Sequence, residues 1–193
     1  AHPPLELFAL AAAGIGGGSA DAGALLRCVR RANPGDAAHA LWAEVAARLG
    51  ADVPVCLADA PALIRGIGER VEPLPRPQVT MPAVLVNPHR PLATAGVFGA
   101  LGAGPVAPSA RADLPLPSFA SLDDLVAYMR AAGNTLEGPA TVLLPAVAEM
   151  KAMLEAQPGC RIAAMSGSGP TCFGIFASTG LARAAATSLR ASR

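Results

Sequence analysis

The chain has 193 residues, of which 52% are hydrophobic and 15% charged, and its formal net charge is +1. This length suits one large domain or two small ones, and the hydrophobic content excludes a largely disordered chain. Without a long basic run, and with only 4% aromatic residues, the chain lacks the positive surface and stacking platforms of a nucleic-acid binder. No apolar run approaches the roughly 20 residues of a membrane span, so we expect neither nucleic acid nor membrane as a partner.

In the first part of the chain, the pattern predicts helices on either side of short apolar segments. Residues 5–13 are predicted as a strand that runs into a loop, and residues 62–64 and 69–71 as paired strands. A helix is predicted to open at Ser19, and a second one to begin at a cap formed by Asp36. Apolar residues at helical spacing predict the core faces of these helices as Ala22, Leu25, Leu26 and Val29 in the first and Leu41, Val45 and Leu49 in the second.

The prolines of residues 73–77 predict a linker between domains at 1–77 and 78–193. The elements predicted after it are a strand at 83–86, a helix from Thr94 through Leu101, a loop over 102–118, a helix from Ser121, a helix over 141–157 kinked by Pro145, strands at 161–165 and 171–176, and a helix from about Leu181. Because helices and strands mix without strict alternation, we expect the α+β class.

The four cysteines, Cys28, Cys56, Cys160 and Cys172, form no CxxC pair and have no histidine at zinc-ligand spacing. Two of them lie in apolar segments, which favours reduced, buried thiols over a metal or disulfide role. Reduced thiols indicate a cytoplasmic protein.

The segment Gly14-Ile15-Gly16-Gly17-Gly18-Ser19 carries the strongest functional signal. Glycines allow the backbone to turn sharply and bring several N–H groups against one ligand, and the helix that follows adds its own unsatisfied N–H groups. The pattern therefore indicates a di- or triphosphate site, with Ser19 able to reach a phosphate oxygen or Mg²⁺. The simpler alternative is a flexible turn in which Ser19 is only the helix N-cap.

Other glycine motifs fail at identifiable positions. A Walker A loop would end in Gly-Lys-Ser/Thr, and no lysine is present here. The dinucleotide-binding pattern requires Gly or Ala where Ser19 stands. A nucleophile elbow requires glycine where Asp21 stands.

Three segments in this order resemble motifs of the GHMP kinases. They are Ala12 to Ala22, which includes the glycine loop, Gly50-Ala51-Asp52-Val53-Pro54, and Met165-Ser166-Gly167-Ser168-Gly169-Pro170-Thr171. Softer matches are Gly66 to Glu69, Val86-Asn87-Pro88 and Asn134-Thr135-Leu136-Glu137. The resemblance covers nearly the whole chain.

The resemblance implies a fold with an N-terminal part like domain 2 of ribosomal protein S5, incomplete here and ending at residue 77, and a ferredoxin-like C-terminal domain over 78–193. It implies transfer of the ATP γ-phosphate, with Mg²⁺, to a hydroxyl of a small molecule, most closely a cytidine-diphospho sugar alcohol used to make bacterial isoprenoid precursors. It also implies a monomer or homodimer in the cytoplasm.

The resemblance assigns roles to three groups of residues. Asp52 is the implied catalytic base; its alternative is an ordinary aspartate at a helix end or turn. For Asp21 we favour stabilisation of the first helical turn through the helix dipole. The implied ATP-binding residues are Ala11, Ala12, Ala13, Gly14, Ile15, Gly16, Gly17, Gly18, Ser19 and Ala20, with Ser19 also the implied Mg²⁺ ligand. The implied substrate-binding residues are Ser166, Gly167, Ser168, Gly169 and Thr171. The equal alternative is that Gly167 and Gly169 only shape a tight turn between two strands.

The sequence also departs from the family pattern. The family's N-terminal Pro-Ala-Lys-Ile-Asn-Leu-like segment, whose lysine pairs with the catalytic aspartate, is absent, and Leu7, Ala9 and Leu10 replace a Lys and a Leu-Pro. We therefore expect a fragment of a longer polypeptide. Three hypotheses stay open: an ATP-dependent kinase of this specificity, another GHMP small-molecule kinase, and a nucleotide-binding fragment without turnover.

Overall fold

A computed structural model of the chain describes residues 16–34, 39–66, 70–75, 79–102 and 118–191. The helices of these ranges are α1 (Gly17–Ala32), α2 (His39–Leu49), α3 (Val53–Ala58), α4 (Thr94–Leu101), α5 (Leu122–Ala132), α6 (Glu137–Leu143), α7 (Ala146–Glu155) and α8 (Thr179–Ala191). The strands are β1 (Ala62–Arg65), β2 (Arg70–Pro73), β3 (Ala83–Val86), β4 (Cys160–Met165) and β5 (Cys172–Phe176). This mixture, with small antiparallel sheets, confirms the predicted α+β class.

Contacts divide the described chain into two compact units, one of residues 16–34, 39–66, 70–75 and 118 and one of residues 79–102 and 119–191. The assignment of 1–77 and 78–193 to the two domains of the family stays a prediction. The predicted strand at 5–13, the cap at Asp36 and most of the loop at 102–118 lie outside the described residues.

The first unit combines helices α1 to α3 with the hairpin of β1 and β2. The strands pair antiparallel from Ala62 opposite Pro73 to Arg65 opposite Arg70, which confirms the predicted strand pair. Its core is a cluster of four buried residues, one from α1, one from α2 and two from α3: Leu26, Ala46, Val53 and Leu57.

The predicted core faces of α1 and α2 are only partly correct. Leu26 is buried in α1, but Leu25 is 65% exposed and Val29 is exposed as well. In α2 the buried position is Ala46, whereas Leu41 and Leu49 are exposed. The close contact of α1 with α3 runs along Gly23 and Leu26. The side of α1 that faces inward is therefore determined by the small residue Gly23 and not by the positions of its large apolar side chains.

The second unit is built on a three-stranded antiparallel sheet in the order β3-β5-β4. Alternate residues of the strands form one buried face, which includes Val84 and Val86 of β3 and Cys172 and Phe176 of β5. Helices α7 and α8 pack against this face. At the start of α5, Ser121 and Asp124 form a reciprocal capping box, which confirms the helix start predicted there.

The single kinked helix predicted over 141–157 is wrong. The chain forms two helices instead: α6 begins earlier, at Glu137, and ends at Leu143, and α7 begins at Ala146. Leu144 between them is extended, with φ −143°. Proline disfavours helical conformation in the residue before it and has no N–H to donate, so Pro145 ends one helix and begins the next.

Candidate active site

The described part of the first glycine loop forms the start of α1. Gly16 is the N-cap residue, in the left-handed conformation at φ 64°, which glycine adopts without steric cost. The Ala20 N–H donates to the Gly16 carbonyl over 2.8 Å. The N–H groups of the three residues before Ala20 precede this first intrahelical donor and so have no carbonyl of the helix to bond to, and the N-cap residue provides no side-chain cap bond. Ala11 to Ile15 lie outside the described residues.

The helix begins two residues earlier than predicted, at Gly17 instead of Ser19. Because Gly16 makes the turn, Gly17 and Gly18 adopt helical conformation and Ser19 lies inside the first turn. The alternative in which Ser19 is only an N-cap is therefore wrong. The interpretation of Asp21 is wrong too: it lies beyond the first turn, where the effect of the helix dipole has largely decayed.

The glycines at the start of α1 are not packed against other described residues. Among these residues, no atom lies within 4 Å of a Cβ added at Gly16, Gly17 or Gly18. The absence of side chains there is therefore not required by packing within the described protein. It leaves the backbone N–H groups accessible to a ligand.

Asp52 lies at the N-cap position of α3, between the end of α2 and the buried Val53. It is exposed, and its side chain accepts no capping hydrogen bond from the helix. A capping role, the ordinary one for an aspartate at this position, is thus not the role it plays in the structure. Its carboxylate is accessible to solvent and to ligands.

Helices α1 and α3, which carry these two features, pack directly against each other. The contact is closest at Gly23, where an added Cβ would lie 2.8 Å from the carbonyl carbon and Cβ of Cys56. The Arg27 guanidinium donates to the Cys56 carbonyl oxygen. A small cavity of about 290 Å³ adjoins the contact and is lined by Ala20, Arg27, Val55, Cys56, Asp59 and Ala60. The described residues Gly16 to Ser19 and Asp52 therefore belong to one packed unit.

The second glycine loop, residues 166–171, joins β4 to β5 in the other unit. The Ser166 N–H donates to the Thr171 carbonyl, and the Gly169 N–H donates to the Ser166 carbonyl, each over 2.8 Å. Gly167 and Gly169 have φ values of 55° and 83°, in the region that favours glycine. The loop is thus a closed turn with its own internal hydrogen bonds.

Two hydroxyl groups of this loop have internal partners. Thr171 is only 3% exposed, and its Oγ1 accepts a 2.7 Å hydrogen bond from Asn87 Nδ2. The hydroxyls of Ser168 and Thr94 lie 2.8 Å apart. These contacts favour a role for Thr171 in shaping the loop, while substrate contact by Ser166, Gly167, Ser168 and Gly169 stays a prediction.

Sequence reasoning missed the residues that hold this loop. Asn87, Thr94 and Asn134 come from three separate segments and bond to the loop or its flanks. Two of them, Asn87 and Asn134, fall in the softer motif matches, and these matches were the only signal in the sequence.

The four cysteines are free thiols, but the prediction that they are buried is correct only for Cys172. Cys28 is exposed, and Cys56 and Cys160 are half-buried. Burial raises the pKa of the Cys172 thiol from 9.0 to about 11. Within the described ranges no cluster of three or more His, Cys, Asp or Glu residues forms a metal site, and no described helix is long and apolar enough to cross a membrane.

Comparison with known proteins shows what this chain is related to. Residues 110–192 match the family described as GHMP kinases C terminal. A 4-diphosphocytidyl-2-C-methyl-D-erythritol kinase of Cereibacter sphaeroides is 47% identical to the chain, covering 97% of it and 65% of the relative. One of Rhodopseudomonas palustris is 46% identical, covering 92% of this chain and 61% of the relative.

A solved structure supports the same relationship. The crystal structure of a 4-(cytidine 5'-diphospho)-2C-methyl-D-erythritol kinase has a TM-score of 0.71 and 34% identity, covering 94% of this chain and 63% of that one. The chain thus spans 61–65% of the length of the two curated relatives. Sequence and fold thus agree that this chain is similar to GHMP kinases, and residues 110–192 match the model of their C-terminal part.

Proposed function

We propose that this chain is part of an ATP-dependent kinase that phosphorylates the 2-hydroxyl of 4-diphosphocytidyl-2-C-methyl-D-erythritol, a step in isoprenoid precursor synthesis. The observation that carries the proposal is the start of α1, where bare glycine backbone opens onto free space, on a helix packed against the one that Asp52 begins. The 47% identity to an enzyme named for this activity supports the choice of acceptor.

The residues at the start of α1 fit a polyphosphate. The N–H groups of Gly17, Gly18 and Ser19 point out of the helix end together with the positive end of its dipole, an arrangement suited to phosphate oxygens. The neighbouring residues predicted to bind ATP, Ala11 to Ile15 and Ala20, complete the proposed loop. The Ser19 hydroxyl is the proposed Mg²⁺ contact, and the bound ion would neutralise phosphate charge.

The proposed role of Asp52 is to accept the proton of the acceptor hydroxyl. An ionised carboxylate within hydrogen-bond reach performs this task in general base catalysis. Its exposure and its freedom from helix capping leave it available. Most of the rate acceleration is expected from positioning and charge neutralisation, because phosphoryl transfer requires little covalent chemistry from the protein.

The free thiols are consistent with a reducing compartment. We propose on this basis that the enzyme acts in the cytoplasm. Its partner in the reaction is the cytidine-diphospho sugar alcohol.

The first test separates chemistry from nucleotide binding at Asp52. With 4-diphosphocytidyl-methylerythritol and ATP, Asp52→Asn should lower kcat by about 10²–10⁴-fold, the usual contribution of a general base, while the Kd of ADP measured by calorimetry stays within about twofold. Asp21→Asn, at another exposed carboxylate, is the matched control and should retain wild-type values of both. Equal turnover in the Asp52→Asn and wild-type proteins would remove Asp52 from the mechanism.

The second test addresses the phosphate cradle. Gly17→Val should weaken ADP binding at least tenfold, because a side chain would stand where backbone must approach phosphate. No described residue lies within 4 Å of a Cβ at this position, so the folded state should persist, and the melting temperature checks this. Gly99→Val, at another helical glycine with open surroundings, is the control. Undiminished ADP binding in Gly17→Val would contradict the proposed phosphate site. If the wild-type chain bound ADP but showed no turnover, it would be a nucleotide-binding fragment.

A further inference from the structure

Asn134 lies just after α5, and both polar atoms of its side-chain amide are hydrogen-bonded. Its Nδ2 donates to the Gly167 carbonyl over 2.8 Å and to the Met165 carbonyl over 3.1 Å. Its Oδ1 accepts from the Leu136 N–H over 3.0 Å. Both amide hydrogens are thus committed to residues about 30 positions away in sequence.

The two carbonyls that Asn134 holds mark the point where β4 ends and the loop begins. Gly167 is in left-handed conformation at φ 55°, so its carbonyl direction defines how the chain turns into the loop. Neighbouring contacts act on the same segment: Glu137 Oε2 lies 3.5 Å from the Met165 nitrogen, and Glu137 Oε1 is paired with Lys151 at 2.6 Å. Residues at the junction of α5 and α6 therefore hold the start of the loop by hydrogen bonds.

The far side of the loop is tied to different segments. Asn87 bonds to Thr171, and Thr94, at the start of α4, bonds to Ser168. Neither of these contacts fixes the first glycine of the loop. The carbonyl of Gly167 is bonded instead to Asn134.

We propose that Asn134 is a positioning residue that orients the second glycine loop for the acceptor substrate, an inference that rests on the proposed kinase function. The two hydrogen bonds from the Asn134 amide fix the conformation of the loop before the acceptor binds. Ordering the loop in advance removes the entropy cost of doing so on binding.

The test is Asn134→Asp, which keeps the size of the side chain and the acceptor for Leu136 but removes both donors. A carboxylate oxygen would then face two carbonyl oxygens. Asn33→Asp is the matched control: it makes the same change of charge and removes the bond from Nδ2 to the Val29 carbonyl, in the other unit.

Amide hydrogen exchange followed by NMR reports on the loop directly. We expect the Ser166 and Gly169 amides, both bonded within the loop, to exchange at least tenfold faster in Asn134→Asp, and to be unchanged in Asn33→Asp. Calorimetry should show at least tenfold weaker binding of 4-diphosphocytidyl-methylerythritol with the Kd of ADP within twofold. Asn134→Gln, which retains the amide on a longer side chain, should recover part of both losses.

Unchanged exchange at Ser166 and Gly169 would overturn the proposal. So would faster exchange with unaltered acceptor affinity, or an equal loss of acceptor and ADP binding, which would indicate a general loss of structure. If the wild-type chain bound no acceptor, the proposed kinase function would be refuted instead, and the exchange rates would still decide whether Asn134 holds the loop.

Discussion

Gly23 is the residue that sets how closely α1 approaches α3, and Gly23→Ala is the perturbation that tests this packing. A Cβ at this position would lie 2.8 Å from both the carbonyl carbon and the Cβ of Cys56 and 3.0 Å from its carbonyl oxygen. Two of these are backbone atoms, so no side-chain rotation relieves the overlap. The helices would have to separate by several tenths of an ångström.

Two opposing effects determine the size of the change. Alanine in place of glycine inside a helix stabilises it by about 1 kcal/mol. Overpacking a close contact costs roughly 1–3 kcal/mol, and a backbone obstacle places this case toward the upper end. We therefore expect Gly23→Ala to lower the free energy of unfolding by about 1–2 kcal/mol.

Urea denaturation followed by tryptophan fluorescence measures this change. Trp42, the chain's single tryptophan, packs against the core cluster of the first unit and so reports on the unfolding of that unit. Gly18→Ala is the control in the same helix: its Cβ meets nothing within 4 Å, so it should raise stability by up to about 1 kcal/mol. If Gly23→Ala were as stable as Gly18→Ala, the close approach of α1 and α3 would be refuted.

Three further predictions concern the cores and a buried thiol. Burial raises the pKa of the Cys172 thiol from 9.0 to about 11, so the folded state binds more protons than the unfolded state between these pH values. This contribution to the free energy of unfolding is therefore complete below pH 9 and is lost as pH rises toward 11. Between pH 9 and 11 the free energy of unfolding, measured by urea titration, should fall more steeply with pH in the wild type than in Cys172→Ala, and the same pH dependence in both would contradict the prediction. Leu26→Ala should lower the free energy of unfolding by about 2–4 kcal/mol, and Leu25→Ala, at a 65% exposed position, by less than about 0.5 kcal/mol. Urea denaturation followed by Trp42 fluorescence measures both, and equal losses would mean that α1 is rotated. Phe176→Ala in the second unit, where the side chain is fully buried, should cost about 3–5 kcal/mol by circular dichroism, and a cost below 1 kcal/mol would show that the sheet face is not packed as described.

Features that depend on neighbours in sequence were predictable. Glycine conformations and helix geometry predicted a glycine turn followed by a helix, although the helix begins at Gly17, two residues earlier than predicted. The capping box at Ser121 and the paired strands β1 and β2 likewise depend on residues within about ten positions of one another. For Asp52 the sequence offered a helix end or turn as the alternative to catalysis, and the structure places it at the N-cap of α3.

Features that depend on distant residues were not predictable from local pattern. Hydrophobic spacing identified α1 as amphipathic, but Leu25 faces outward. The closest contact of α1 runs along Gly23, which is packed against Cys56, more than 30 positions away in sequence. Predicting that line would have required knowing which helix lies opposite.

The second glycine loop makes the same point for the site. Its glycines were visible in the sequence, but the burial of Thr171 and the clasp by Asn134 exist only once β3, α5 and β4 are assembled. Local chemistry determined which backbone could turn and which N–H groups were left free. Tertiary packing alone decided which polar side chains hold the loops and which stay accessible to a ligand, because an asparagine amide acquires its partners only when segments remote in sequence come into contact.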